Sequence, residues 1–142
     1  MTRCALVTTC LLIVAGCGEP LYTIPGGELA GPEAAAPVEW SQVPDTIQLE
    51  TRPGDPYSIN IWGVAVGDDL YVATGPEGAN WTPYIEADPT VRVRLDEEVY
   101  PLRAILVDDA DEQARVTTVY EEKYGMGTDW VATSMMFRLE RP

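Results

Sequence analysis

From about residue 46 onward the apolar residues fall into short segments with a period of two, broken by turn residues. Thr46 to Thr51 alternates polar and apolar, as a half-buried strand does. Arg52-Pro53-Gly54-Asp55-Pro56 is a turn, and Tyr57 to Val66 is apolar on both faces, which predicts one central strand. Gly67-Asp68 suits a tight hairpin with glycine first, and Leu70 to Thr74 is the return strand. Trp81 to Ala87 predicts a short helix, with Asn80 as N-cap, Pro83 in the first turn and Asp88-Pro89 as the stop. Thr90 to Leu95 alternates strictly, with Val91, Val93 and Leu95 on one face and Arg92 and Arg94 on the other. Asp96 to Glu98 is a turn. Val99 to Val107 is the next strand, in which Pro101 marks an edge or a bulge. Asp109 to Glu112 opens a helix with capping-box-like spacing, and Val116, Val119, Tyr120 and Lys123 or Tyr124 give it one apolar stripe. Gly125 or Gly127 ends it, and Val131 to Leu139 is the last strand. The fold class predicted is mainly β: a small six-stranded barrel with one or two packed helices.

Ahead of these segments the pattern changes twice. Arg3 precedes an apolar run from Ala5 to Ala15. That run is about a dozen residues long, against the ~20 needed to span a bilayer, so it reads as an export signal. Val14-Ala15-Gly16-Cys17 resembles the bacterial lipoprotein box, in which the cysteine carries lipid and becomes the first mature residue. Residues 1–16 are then the signal peptide, and 17–44 are the lipidated Cys17 with a Pro/Gly-rich tether. The domain proper is 45–142. Four glycines and four prolines fall in residues 18–37, a density that predicts a flexible spacer. Gly18 in the second mature position does not favour retention at the inner membrane, and the leaflet stays open. The location expected is the cell envelope, through the anchor.

Composition narrows the chemistry. The chain has 142 residues, 9 Lys and Arg against 23 Asp and Glu, and no histidine. Without Arg3, eight cations face those 23 acids, a balance of −15. Such a surface repels nucleic acid. The lack of histidine excludes Ser-His-Asp and Cys-His catalysis and any His-ligated metal or haem. Cys4 and Cys10 leave with the signal and Cys17 carries lipid, so no disulfide is expected. The acids Asp108, Asp109, Asp111 and Glu112 lack the spacing of a calcium loop and complement a helix N-terminus instead. Ser58 and Ser134 have no base partner for nucleophilic catalysis.

Three features together resemble a known family: the hairpin Ile59 to Ala73 ending in Thr74-Gly75; Asn80-Trp81 with Tyr84-Ile85-Glu86-Ala87-Asp88-Pro89 running into Val91 to Leu95; and Val99 to Ala104 followed by Asp111 to Arg115. They are similar to the flavin- and deazaflavin-binding split β-barrels, which include pyridoxamine-phosphate-oxidase-like proteins and deazaflavin-dependent nitroreductases. Asp88 stands where that family commonly has Asn. The resemblance implies FMN or a deazaflavin as cofactor, contacted by Asn60, Ile61, Trp62, Thr74, Gly75 and Trp81, and a homodimer. Arg92 and Arg94, with Arg103 on the partner strand, are the candidate grip for a cofactor phosphate. Trp62 and Trp81 could stack on the ring or pack in the core. The chain departs from the family in having only Arg52 as a cation in the turn after the first strand, and none between Gly75 and Asn80.

Two functions follow. One is a membrane-anchored oxidoreductase in which the cofactor carries the hydride chemistry, nitroreductase-like, with no catalytic protein residue required. The other is a non-catalytic envelope lipoprotein that uses the barrel to bind a partner or small ligand.

Overall fold

The computed structural model describes residues 19–125 and 130–142; Cys17 and Gly127 lie outside them. Seven strands and two helices run in the order β1 (Ile47–Thr51), β2 (Tyr57–Ile61), β3 (Gly63–Val66), β4 (Asp69–Thr74), α1 (Thr82–Ala87), β5 (Thr90–Leu95), β6 (Glu98–Leu106), α2 (Ala110–Tyr124) and β7 (Met135–Glu140). All seven strands join one antiparallel sheet of order β2-β1-β5-β6-β7-β4-β3. The class is mainly β, as the alternation predicts, with seven strands rather than six.

The extra strand comes from Tyr57–Val66. That run is two edge strands rather than one central strand, divided at Trp62. Apolar character on both faces cannot separate the two cases, because both strands pack on the barrel core. β2 and β3 lie at opposite ends of the sheet order, yet one residue joins them. A residue spans at most ~3.6 Å, so the sheet has to curl until its two edges meet. Gly63 permits that approach: a Cβ there would stand 2.7 Å from Ile47 Cδ1 and 3.3 Å from the Tyr71 carbonyl oxygen.

Inside the curl, Leu49, Leu70, Val72, Val91, Val93, Leu102, Phe137 and Leu139 form the main core. Outside the seam, α2 lays Val116 and Tyr120 on β3 and β4, with Val119 and Tyr124 beside them, as the stripe predicts. Asp109 caps α2 by accepting from Glu112 N at 2.7 Å. α1 starts one residue later than expected. Its N-cap is Trp81, not Asn80, and Thr82 bonds back to Ala79 instead, with its hydroxyl donating to Ala79 O at 2.8 Å. The last expected strand also starts late, since Val131–Thr133 is a turn of 3₁₀ helix. Pro101 sits in the half of β6 that β7 does not reach, where its missing N–H breaks no ladder bond.

The segment expected to be a flexible spacer is packed against the sheet from Glu19 to Trp40. Its glycines and prolines exclude helix and strand but not contact through backbone groups. Gly26 exchanges two backbone bonds with Ser58 on the free edge of β2, at 2.8 and 2.9 Å. Further on, Val99 N donates to Pro32 O and Ala34 N to Val99 O, which closes the open half of β6. Between these two edges the strap crosses the outer face of β1 and β5, with Leu29 only 1% exposed. Gly31 is required in that crossing. Its φ is +144°, and a Cβ would stand 2.5 Å from the Glu97 carbonyl oxygen.

The strap is held by charge as well. Arg92 Nη1 donates to both carboxylate oxygens of Glu50 at 3.1 Å, and Leu29 N–H donates to Glu50 Oε2 at 2.5 Å. Glu50 is 3% exposed, so removing its cation strands a buried charge. Arg94 pairs with Glu19 and donates to Ala30 O at 3.2 Å, in a more exposed setting. Arg92→Ala is expected to cost about 3 kcal/mol of unfolding free energy, whereas Arg94→Ala costs no more than ~1 kcal/mol. Urea unfolding of the two variants checks that order, and equal losses would show that burial of Glu50 is not what sets the cost.

Candidate functional site

Curling brings three consecutive expected site residues against distant parts of the chain. Asn60, Ile61 and Trp62 line a cleft of about 720 Å³, together with Pro20, Leu21, Tyr22 and Thr23 of the strap and Thr46, Ala73 and Trp130. This lies within the size range of small-molecule sites. Trp62 is 46% exposed there. Its ring lies nearly parallel to Tyr124, with centroids 4.7 Å apart and planes 7° apart, and Tyr124 in turn stacks on Tyr120 at 5.6 Å. The strap is seated by Asn60, whose Nδ2 donates to Pro20 O and Tyr22 O at 3.2 and 3.0 Å.

Three side chains of the last turns of α2 hold the seam that places Trp62. Tyr120 donates its hydroxyl to Trp62 O at 3.0 Å, with Tyr71 O at 3.3 Å. Tyr124 accepts from Gly63 N at 3.1 Å, and its hydroxyl stands 2.8 Å from both Gly63 O and Asp45 O. Lys123 spreads its ammonium over Val43 O, Pro44 O and Gly63 O at 2.8–2.9 Å. Burial pushes the Tyr124 hydroxyl up to about 12 and the Tyr120 hydroxyl up further. Burial, with the Glu112 carboxylate accepting its hydrogen bond, also takes Tyr71 to about 12. Burial lowers the Lys123 ammonium.

The remaining expected site residues are placed elsewhere. Trp81 is 4% exposed, packs on Phe137 at 5.5 Å, and borders a neighbouring cleft of about 260 Å³. The two clefts share Tyr22, Thr23 and Asn60, so the strap turn Leu21–Ile24 stands between them. Thr74 ends β4 and Gly75 follows it, and neither borders a cleft; Ala73 borders the larger one instead. Arg92 and Arg94 border neither cleft as well. Their charges are met by the chain's own acids: Glu50, Glu28 and Glu33 surround Arg92, and Glu19 meets Arg94. The open anion grip expected of them is therefore filled from within. Arg103 is exposed on the edge of that face. Glu112, one of the four clustered acids, is taken up by Arg138 at 2.6 Å and the Tyr71 hydroxyl at 2.9 Å.

Sequence reasoning missed the strap wall of the cleft, together with Thr46, Trp130 and the Tyr124 platform. Leu21, Tyr22 and Ile24 within a Pro/Gly-rich stretch were the available signal, since a pure spacer has no need of apolar residues.

No family model matches the chain, and no curated protein matches it. Solved structures do share its fold. The haem storage protein HutZ from Vibrio cholerae superposes with a TM-score of 0.60 at 20% identity, over 69% of this chain and 82% of that one. An F420-H2-dependent reductase, FDR-A, gives 0.58 at 16% identity, over 71% and 100%. A FAD-binding protein from Mesorhizobium loti gives 0.56 at 16% identity, over 70% and 82%. The chain thus has the split-barrel fold that its sequence resembles. Tested against a flavin or deazaflavin, the larger cleft suits the ring but not its phosphate tail. Aromatic and aliphatic side chains dominate its lining, with Thr23, Thr46 and Asn60 as the polar ones, and no Arg or Lys is among the described residues there.

The tyrosine clamp predicts an alkaline limit. A hydroxyl whose pKa is raised in the folded state contributes stability in full below its unfolded value of 10.0, and loses it as pH climbs through about 12. Lys123 works in the opposite sense, gaining as pH rises towards 10.5. With the tyrosines outnumbering it, unfolding free energy should fall between pH 10 and about 12. Tyr124→Phe should fall less steeply over the same interval in urea titrations.

Proposed function

We propose that this chain is an exported, lipid-anchored envelope protein whose split barrel binds a flat, weakly charged ring in the cleft beside Trp62, without redox chemistry of its own. The observation that carries this reading is a ring-sized cleft with an exposed indole and no cation among the described residues that line it. The −15 balance of the chain after Arg3 adds to it, because an anionic ligand would be repelled. The lipid anchor is drawn from Val14-Ala15-Gly16-Cys17, which would place the domain at the periplasmic face of an outer membrane or the outer face of a plasma membrane.

The second reading is a flavin- or deazaflavin-dependent oxidoreductase, supported by the reductase and FAD-binding proteins that share the fold. It needs phosphate donors from outside this cleft, as a homodimer could supply.

Riboflavin and FMN separate the two, since they share a ring and differ by a phosphate. Titrated into the purified protein and followed by quenching of indole emission, the two should bind within about threefold of each other, a difference of ~0.6 kcal/mol. Trp62→Ala should weaken both about tenfold, the value of one good stacking contact. FMN binding far tighter than riboflavin would favour the oxidoreductase, and no quenching by either at tens of micromolar would end the ring-binding reading.

A further inference from the structure

The exposed apolar side chains of this protein are not scattered evenly. Leu21 is 61% exposed, Tyr22 84%, Ile24 62% and Trp62 46%. All four border the two adjoining clefts, on the strap turn and on the seam beneath it. Val38 and Leu106 are the other large exposed apolar residues described, and neither borders these clefts. Single exposed apolar residues need no explanation, but a group of four around one opening does.

Chain length says what covers that group. Cys17 stands two positions before Glu19. Glu19 is pinned to Arg94, and Pro20 is pinned to Asn60. Two residues reach at most ~7 Å and four at most ~14 Å, so Cys17 is tethered within that reach of Glu19 and of Leu21 at the start of the strap turn. There is no long spacer to lift the domain away. We infer that the face formed by Leu21, Tyr22, Ile24 and Trp62 sits on the lipid bilayer, with both clefts opening at the membrane surface. This rests on the lipidation of Cys17 proposed above.

The charges agree with a bilayer as the occupant. Arg94 meets Glu19, the acid nearest the anchor, so no unpaired carboxylate is pressed against lipid there. Leucine, isoleucine, tyrosine and tryptophan are the residue types that settle at the boundary of acyl chains and headgroups. The strongly acidic remainder of the chain makes contact with anionic lipid unfavourable, so the seating depends on apolar insertion and the anchor.

The test uses the lipid-modified full chain, purified from membranes and reconstituted into phosphatidylcholine vesicles brominated on their acyl chains. Metabolic labelling with palmitate first reports whether Cys17 carries lipid. Indole emission should be quenched by the bromolipid, and Trp62→Phe with Trp130→Phe should remove most of that quenching, because these two indoles border the cleft while Trp40 and Trp81 are 8% and 4% exposed. Leu21→Asp with Ile24→Asp should at least halve it while leaving the far-ultraviolet circular dichroism unchanged, whereas Leu106→Asp should leave the quenching intact. A labelled protein whose emission is indifferent to bromolipid, or whose quenching survives the double change Trp62→Phe with Trp130→Phe, overturns the seating and leaves the anchor standing. Absence of label on Cys17 overturns both.

Discussion

One covalent constraint organises this molecule: Trp62 alone links the two edges of a seven-stranded sheet. An open, gently twisted sheet of that width would hold its first and last strands far apart, and the chain could not cross between them in one residue. Closure is therefore imposed by connectivity, and side chains have only to make it tolerable. Gly63 does so by omission, since any Cβ would meet Ile47 and the Tyr71 carbonyl. Tyr120, Lys123 and Tyr124 do so by satisfying the carbonyls of Trp62, Gly63 and the segment leading into β1. The cleft beside the indole is a by-product of that closure, so the site and the seam share their residues.

A second node governs charge. Glu50 and Arg92 face each other across β1 and β5 and are shielded by Leu29. Replacing a pair of this kind by apolar residues need not destabilise a fold, but breaking it does. Once the pair is formed under the strap, the two arginines that alternation places on the outer face are no longer available to an external anion. The charge that a nucleotide tail would need has been spent on holding residues 19–36 in place. Sharing a fold with cofactor proteins is therefore compatible with arginines that pair with the chain's own acids.

Much of this was legible in the chain. Thr90 to Leu95 alternates so strictly that its inward valines and outward arginines could be assigned directly, and the core confirms both faces. Asp109 announced its cap, and Gly67-Asp68 its hairpin, with Gly67 at φ +61°. Two kinds of information were not legible. Hydropathy cannot show that a continuous apolar run leaves one sheet edge and joins another, because the buried face stays buried throughout. Nor can composition distinguish a Pro/Gly-rich spacer from a strap fixed by backbone bonds, since the partners of Gly26, Pro32 and Ala34 are main-chain groups of distant strands. Ion-pair partners were hidden for the same reason. Glu19 and Arg94 are 75 positions apart, and nothing local relates them.

The strap also dictates a timetable for assembly. It is synthesised ahead of every strand that it touches, and its last ties are made by Arg141, which donates to Pro37 O from 104 positions away. The strap cannot close the edge of β2 before Ser58 is made, nor that of β6 before Val99, and its tie to Arg141 waits for the carboxyl end. Loop closure over such separations is slow relative to local pairing. A nascent chain of this kind passes through a long interval with bare strand edges, during which holding chaperones would find their substrate.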